Sequence, residues 1–141
     1  MEKIIELECN VDDMTAEEIA YAQERLMAAG AKDVWTTSIG MKKSRPGYKL
    51  SVLCDLEDRE RFVRLILKYT TTIGIREILA ERYILERSED VIETEYGEVR
   101  RKTSRGYGVE RSKYEYEDLA RIAGELDISI AEARELVKRF E

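Results

Sequence analysis

The chain has 141 residues, 43% of them hydrophobic, which suits one domain with a real core and excludes a disordered polymer. A net charge of −6 argues against a general nucleic-acid binder, while 38% charged residues point to a surface laced with ion pairs. Histidine is absent, so any chemistry must run on carboxylates, lysines, arginines, hydroxyls and bound metal.

Ile4, Ile5, Leu7 and Cys9, with acidic residues interleaved, predict a first strand. Thr15 opens a helix, and Glu18 three residues on completes a capping-box pattern. Ile19, Ala22, Gln23 and Leu26 keep helical spacing until Gly30 stops the helix. Residues 34–41 read as a second strand, 42–47 as a turn and 48–54 as a third strand. A second helix is expected over 58–69, with Phe62, Leu65, Ile66 and Tyr69 on one face. Residues 73–85 then read as a long fourth strand. Beyond it, residues 91–95 and 98–103 flank Tyr96-Gly97 as a hairpin, and Gly106 and Gly108 mark a turn. Helices follow over 115–125 and 130–140, the latter opened by a Ser129/Glu132 capping box.

The order strand, helix, strand, strand, helix, strand is the split βαββαβ arrangement of ferredoxin-like α+β domains. It predicts a core over residues 1–87, with 88–141 as a hairpin and helical appendage packed on it, one continuous domain overall. No apolar run is long enough to span a membrane, and no signal-peptide pattern opens the chain. Cys9 and Cys54 lie in apolar strand-like stretches and read as buried reduced thiols of a cytoplasmic protein.

Three polar motifs remain. Asn10-Val11-Asp12-Asp13-Met14 reads as a capping loop, or as a pair of carboxylates for a hard divalent metal; Thr15 already caps, so two further acids exceed what capping needs. Met41-Lys42-Lys43-Ser44-Arg45-Pro46-Gly47, with Lys49 beyond, reads as a solvated turn or an anion cradle. Thr70-Thr71-Thr72-Ile73-Gly74-Ile75-Arg76 reads as a helix stop, or as hydroxyls and a guanidinium for phosphate. In the split arrangement all three fall at the same end of the sheet. Together they suit a metal–triphosphate, with Asp12 and Asp13 on the metal and Lys42, Lys43, Arg45, Lys49, Thr71, Thr72 and Arg76 on the phosphates. No Walker-type phosphate loop is present.

These motifs, with Gly30-Ala31-Lys32-Asp33-Val34, Leu50-Ser51-Val52-Leu53-Cys54, Tyr96-Gly97-Glu98-Val99 and Tyr116-Glu117-Asp118, resemble the C-terminal domain of LarC. LarC proteins insert nickel into the pincer cofactor of lactate racemase. The resemblance covers nearly the whole chain. It implies binding of CTP with manganese or magnesium, homo-oligomers, and a role in CTP-dependent nickel insertion into a pyridinium bisthiocarboxylate mononucleotide, a cyclometallase (lyase) reaction. It also implies that nickel is handled by an N-terminal part that this chain lacks, so the isolated domain binds nucleotide without completing the reaction. Two departures stand out: Cys9 replaces a small polar residue, and Ser112-Lys113-Tyr114-Glu115 replaces a Lys-Pro-Glu pattern. The residues alone also leave open a small-molecule regulatory domain and a structural oligomerisation module. RNA binding is disfavoured by the acidic balance and the lack of an aromatic recognition motif.

Overall fold

The computed structural model describes residues 1–141 and divides them into two compact units, Met1–Tyr83 and Ile84–Glu141.

In the first unit, strand β1 (Glu2–Val11) leads to helix α1 (Ala16–Ala28), strands β2 (Asp33–Met41) and β3 (Arg45–Cys54), helix α2 (Arg59–Tyr69) and strand β4 (Arg76–Arg82). The sheet order is β2-β3-β1-β4 with every neighbouring pair antiparallel, the ferredoxin-like order expected from sequence. Period-two alternation decides the faces. Ile5, Leu7, Cys9 and Val11 of β1 and Leu50, Val52 and Cys54 of β3 are buried on one face. Ile19 and Leu26 of α1 and Phe62 and Ile66 of α2 pack on it. Both cysteines are free. Cys9 pairs with Leu50, whereas Cys54 pairs with Ile5, four residues along the same strand. That offset is about 13 Å, too far for a disulfide.

The first helix starts where its capping box places it. The Thr15 amide donates to Glu18 at 3.0 Å and the Glu18 amide donates to Thr15 Oγ1 at 3.2 Å. Gly30 sits just past the helix at φ +98°, a conformation that favours glycine.

Two expectations need correction. The fourth strand, expected over 73–85, is only Arg76–Arg82. Thr72 Oγ1 donates to the Gly74 carbonyl at 2.8 Å, closing a local turn that holds the preceding residues out of the ladder. The expected turn over 42–47 shrinks to one 3₁₀ turn, Lys42–Ser44, because Met41 already pairs with Arg45. Pro46 is tolerated inside β3 since β1 pairs with β3 no further than Tyr48, leaving residue 46 on a locally free edge.

The second unit holds strands β5 (Glu86–Thr94), β6 (Gly97–Gly106) and β7 (Val109–Tyr114), then helices α3 (Tyr116–Leu126) and α4 (Ile130–Lys138). The strands form an antiparallel meander, β5-β6-β7. Its third strand was not anticipated, since Val109–Tyr114 carries no apolar row and gains its place by pairing with β6. Ile92 and Val99 of the sheet pack with Leu119, Ile122, Ala133 and Val137 of the helices. The Ser129/Glu132 capping box opens α4 as expected.

Candidate functional site

The three polar motifs do converge at one end of the first unit. Asp12 follows directly on β1, Arg45 opens β3, and Arg45 Nη1 donates to Asp12 Oδ2 at 3.5 Å. Asp13 accepts from the hydroxyl of Thr71, which lies 58 residues away between α2 and β4. Neither aspartate caps α1, because Thr15 does so alone. The capping-loop reading of the motif therefore loses its basis. Both carboxylates are exposed, as are Lys42, Lys43 and Thr71.

A further residue of this end was missed in the sequence: Glu8. Its side chain is only 12% exposed and bridges two of the expected phosphate ligands. Arg76 Nε donates to it at 3.0 Å and Lys49 Nζ lies 3.6 Å away. Arg76 also donates to the side chain of Asn10 at 2.9 Å. The register explains the trio, since Glu8 faces Arg76 across β1–β4 and Asn10 faces Lys49 across β1–β3. The signal was available: alternation that buries Leu7 and Cys9 must put Glu8 and Asn10 together on the opposite face.

Glu8 thus partly neutralises Lys49 and Arg76. Lys42 and Lys43 form no ion pair and make the free cationic tip. The tip is strained at two residues: Lys43 has φ 61° and Ser44 φ 58°, left-handed conformations that cost an L-residue about 1–2 kcal/mol each. Such strain persists where the surrounding structure imposes it and gathers at ligand clamps. Thr72, by contrast, is spent on its own turn. The hairpin is pinned from below by Gly47. A Cβ there would meet Met41 Sδ at 2.5 Å and the Val11 carbonyl oxygen at 2.7 Å.

No group of three or more Cys, Asp or Glu side chains that could hold a metal is present. A metal at Asp12 and Asp13 must therefore draw its other oxygens from a ligand or water, which is how magnesium and manganese sit on polyphosphates. The donor set fits that arrangement.

Arg76 first, and Lys49 with it, hold the Glu8 carboxyl below its ordinary 4.5, against the raising effect of burial. A depressed carboxylate contributes stability that is complete above the unfolded-state value and lost as pH falls through the lower folded value. Glu8→Gln is accordingly expected to be less stable than the parent at neutral pH. It should also lose less stability between neutral pH and about pH 3 in urea unfolding. Equal acid sensitivity in the two proteins would refute the Glu8 pairing.

With this geometry in place, comparison with known proteins is informative. The nickel insertion protein family matches residues 1–134. The chain belongs to the nickel insertion protein family. It is 41% identical over 138 residues to the pyridinium-3,5-bisthiocarboxylic acid mononucleotide nickel insertion protein of Acetivibrio thermocellus, covering 98% of this chain and 34% of that protein. Its counterpart in Lactiplantibacillus plantarum is 39% identical over 125 residues, 89% of this chain and 30% of that protein. Among solved structures, the apo form of LarC2 is described as the C-terminal domain of a cyclometallase involved in the synthesis of the NPN cofactor of lactate racemase. It matches with a TM-score of 0.86 and 35% identity over 99% of this chain and 96% of that one. A crystal structure from Methanopyrus kandleri shares the fold, with a TM-score of 0.78 at 22% identity over 97% of this chain and 85% of that one. This member of the nickel insertion family spans about a third of the length of these curated relatives. No helix in it is long and apolar enough to cross a membrane.

Proposed function

We propose that the Asp12–Lys42–Thr71 end of the first unit binds a divalent-metal complex of CTP, manganese or magnesium, in support of nickel insertion into the pyridinium bisthiocarboxylate mononucleotide. The supporting observation is the convergence of carboxylates, unpaired lysines and a threonine hydroxyl from three distant segments, through the Asp12–Arg45 and Asp13–Thr71 links. Asp12 and Asp13 would take the metal, Lys42, Lys43 and Arg45 the phosphates, and Thr71 would orient Asp13. Lys49 and Arg76 lie behind them and, balanced by Glu8, set the local field. Nickel is a substrate of the reaction, and the remaining two-thirds of the relatives' length would handle it. This chain would bind nucleotide without completing the insertion. Self-association belongs to the same reading. So does a cytoplasmic location, which suits two free buried thiols.

Thermal unfolding with each of the four nucleoside triphosphates, with and without manganese, tests the proposal. Manganese–CTP at a hundredfold excess over its dissociation constant is expected to stabilise the chain by about 2.7 kcal/mol. That shift should vanish in Asp12→Ala and in the Lys42→Ala/Lys43→Ala double variant. A shift that survives both substitutions puts the nucleotide elsewhere, and no shift with any triphosphate overturns the reading.

A further inference from the structure

The open face of the β5–β6–β7 meander carries a cavity of about 580 Å³, within the size range of small-molecule sites. Two rows of residues run across it in register. Arg87 faces Ser104, which faces Arg111; two residues along each strand, Glu89 faces Lys102, which faces Lys113. Residues two apart on a strand share a face, so both rows stand on one side of the sheet. Four of the cavity's lining side chains are cationic and Glu89 alone is acidic, in a chain whose net charge is −6.

A solvated basic edge would explain Arg111 and Lys113 on the outer strand β7. It does not explain Lys102, which sits on the central strand directly opposite Lys113. Like charges in that position destabilise a sheet. Glu115 relieves Lys102 at 2.7 Å, but Arg87, Arg111 and Lys113 form no ion pair. The Arg–Ser–Arg row sets two guanidinium groups on strands about 10 Å apart, with a hydroxyl between them. Two planar guanidinium forks within reach of one hydroxyl suit the oxygens of a tetrahedral phosphate.

We propose that this cavity binds a phosphate monoester of mononucleotide size, Arg87 and Arg111 gripping the phosphate over Ser104, with Lys113 balancing its second charge. The site lies wholly within the second unit and stands independently of the metal–CTP reading.

Titration calorimetry on the whole chain at low salt tests it, with nicotinic acid mononucleotide, CMP, inorganic phosphate and cytidine as probes. Both monophosphates are expected to bind and cytidine is not. The Arg87→Ala/Arg111→Ala variant should weaken binding at least tenfold, while Asp12→Ala leaves it unchanged. Should the double variant fail to fold, Lys113→Gln is expected to weaken binding at least threefold. Tighter binding of the mononucleotides than of inorganic phosphate supports a nucleotide ligand; equal affinity supports free phosphate on the same groups. Cytidine binding as tightly as CMP, no binding by any phosphate, or full affinity in a folded double variant would overturn the proposal. Loss of binding in Asp12→Ala would do the same, by moving these ligands to the first unit. Loss of the manganese–CTP shift alone would leave it standing.

Discussion

Phe62→Ala is expected to cost about 3–5 kcal/mol, the largest loss from any single truncation in the first unit. Phe62 is fully buried in α2 and belongs to the cluster that joins β1, β3, α1 and α2. The loss has two parts, the transfer of a ring back to water and a cavity that the surrounding strands cannot close. Against a domain stability of about 5–15 kcal/mol, such a change is a large fraction of the whole. Function should follow stability here. The end of α2 delivers Thr71 to Asp13, so a helix that loosens its grip on the sheet also loosens that contact. Urea unfolding of Phe62→Ala beside Leu67→Ala checks the packing, since Leu67 lies on the same helix but is 46% exposed. Similar losses in both variants would show that α2 does not pack as described.

Gly47→Ala is expected to cost about 1–3 kcal/mol and to weaken manganese–CTP binding at least tenfold. The reason is contact rather than conformational freedom. The added methyl would press on the Val11 carbonyl and the Met41 sulfur, at separations real Cβ atoms do not tolerate. The thioether can rotate away; the Val11 carbonyl can move only with its strand. Val11 immediately precedes Asp12, so the displacement is passed to a proposed metal ligand. Gly40→Ala provides the comparison, because a Cβ there meets nothing within 4 Å. It should be close to neutral in both stability and binding. Unchanged nucleotide affinity in Gly47→Ala would separate this hairpin from the site.

Much of the first unit was legible in the sequence because its local signals agree with one another. The capping box at Thr15, the glycine at 30 and the alternation of β1 each point to the same split arrangement. The convergence of three motifs followed from topology alone. What stayed hidden depended on register. Glu8 looked like one more interleaved acid until pairing set it between Lys49 and Arg76. The β7 strand was invisible because Val109–Tyr114 is polar between its two ends and carries no apolar alternation, so pairing with β6 defines it. The early part of the expected fourth strand failed for a different reason: Thr72 offers its hydroxyl to a neighbouring carbonyl, a local alternative to the ladder. Family membership rested on motif order over nearly the whole chain, which survives such local errors.

The links between Asp12 and Arg45 and between Asp13 and Thr71 span 33 and 58 residues. On a ribosome adding about 5–20 residues per second, Asp13 waits roughly 3–12 s for its threonine to be made. For the first half of that interval the aspartates stand without the lysine tip, the strained turn or the third strand. A nascent chain that holds only the acids has no cations to offer the phosphates of the proposed metal–nucleotide complex. On the proposed reading, loading would wait for translation through the second helix, and ligand capture would be a checkpoint on a finished fold rather than a seed for it.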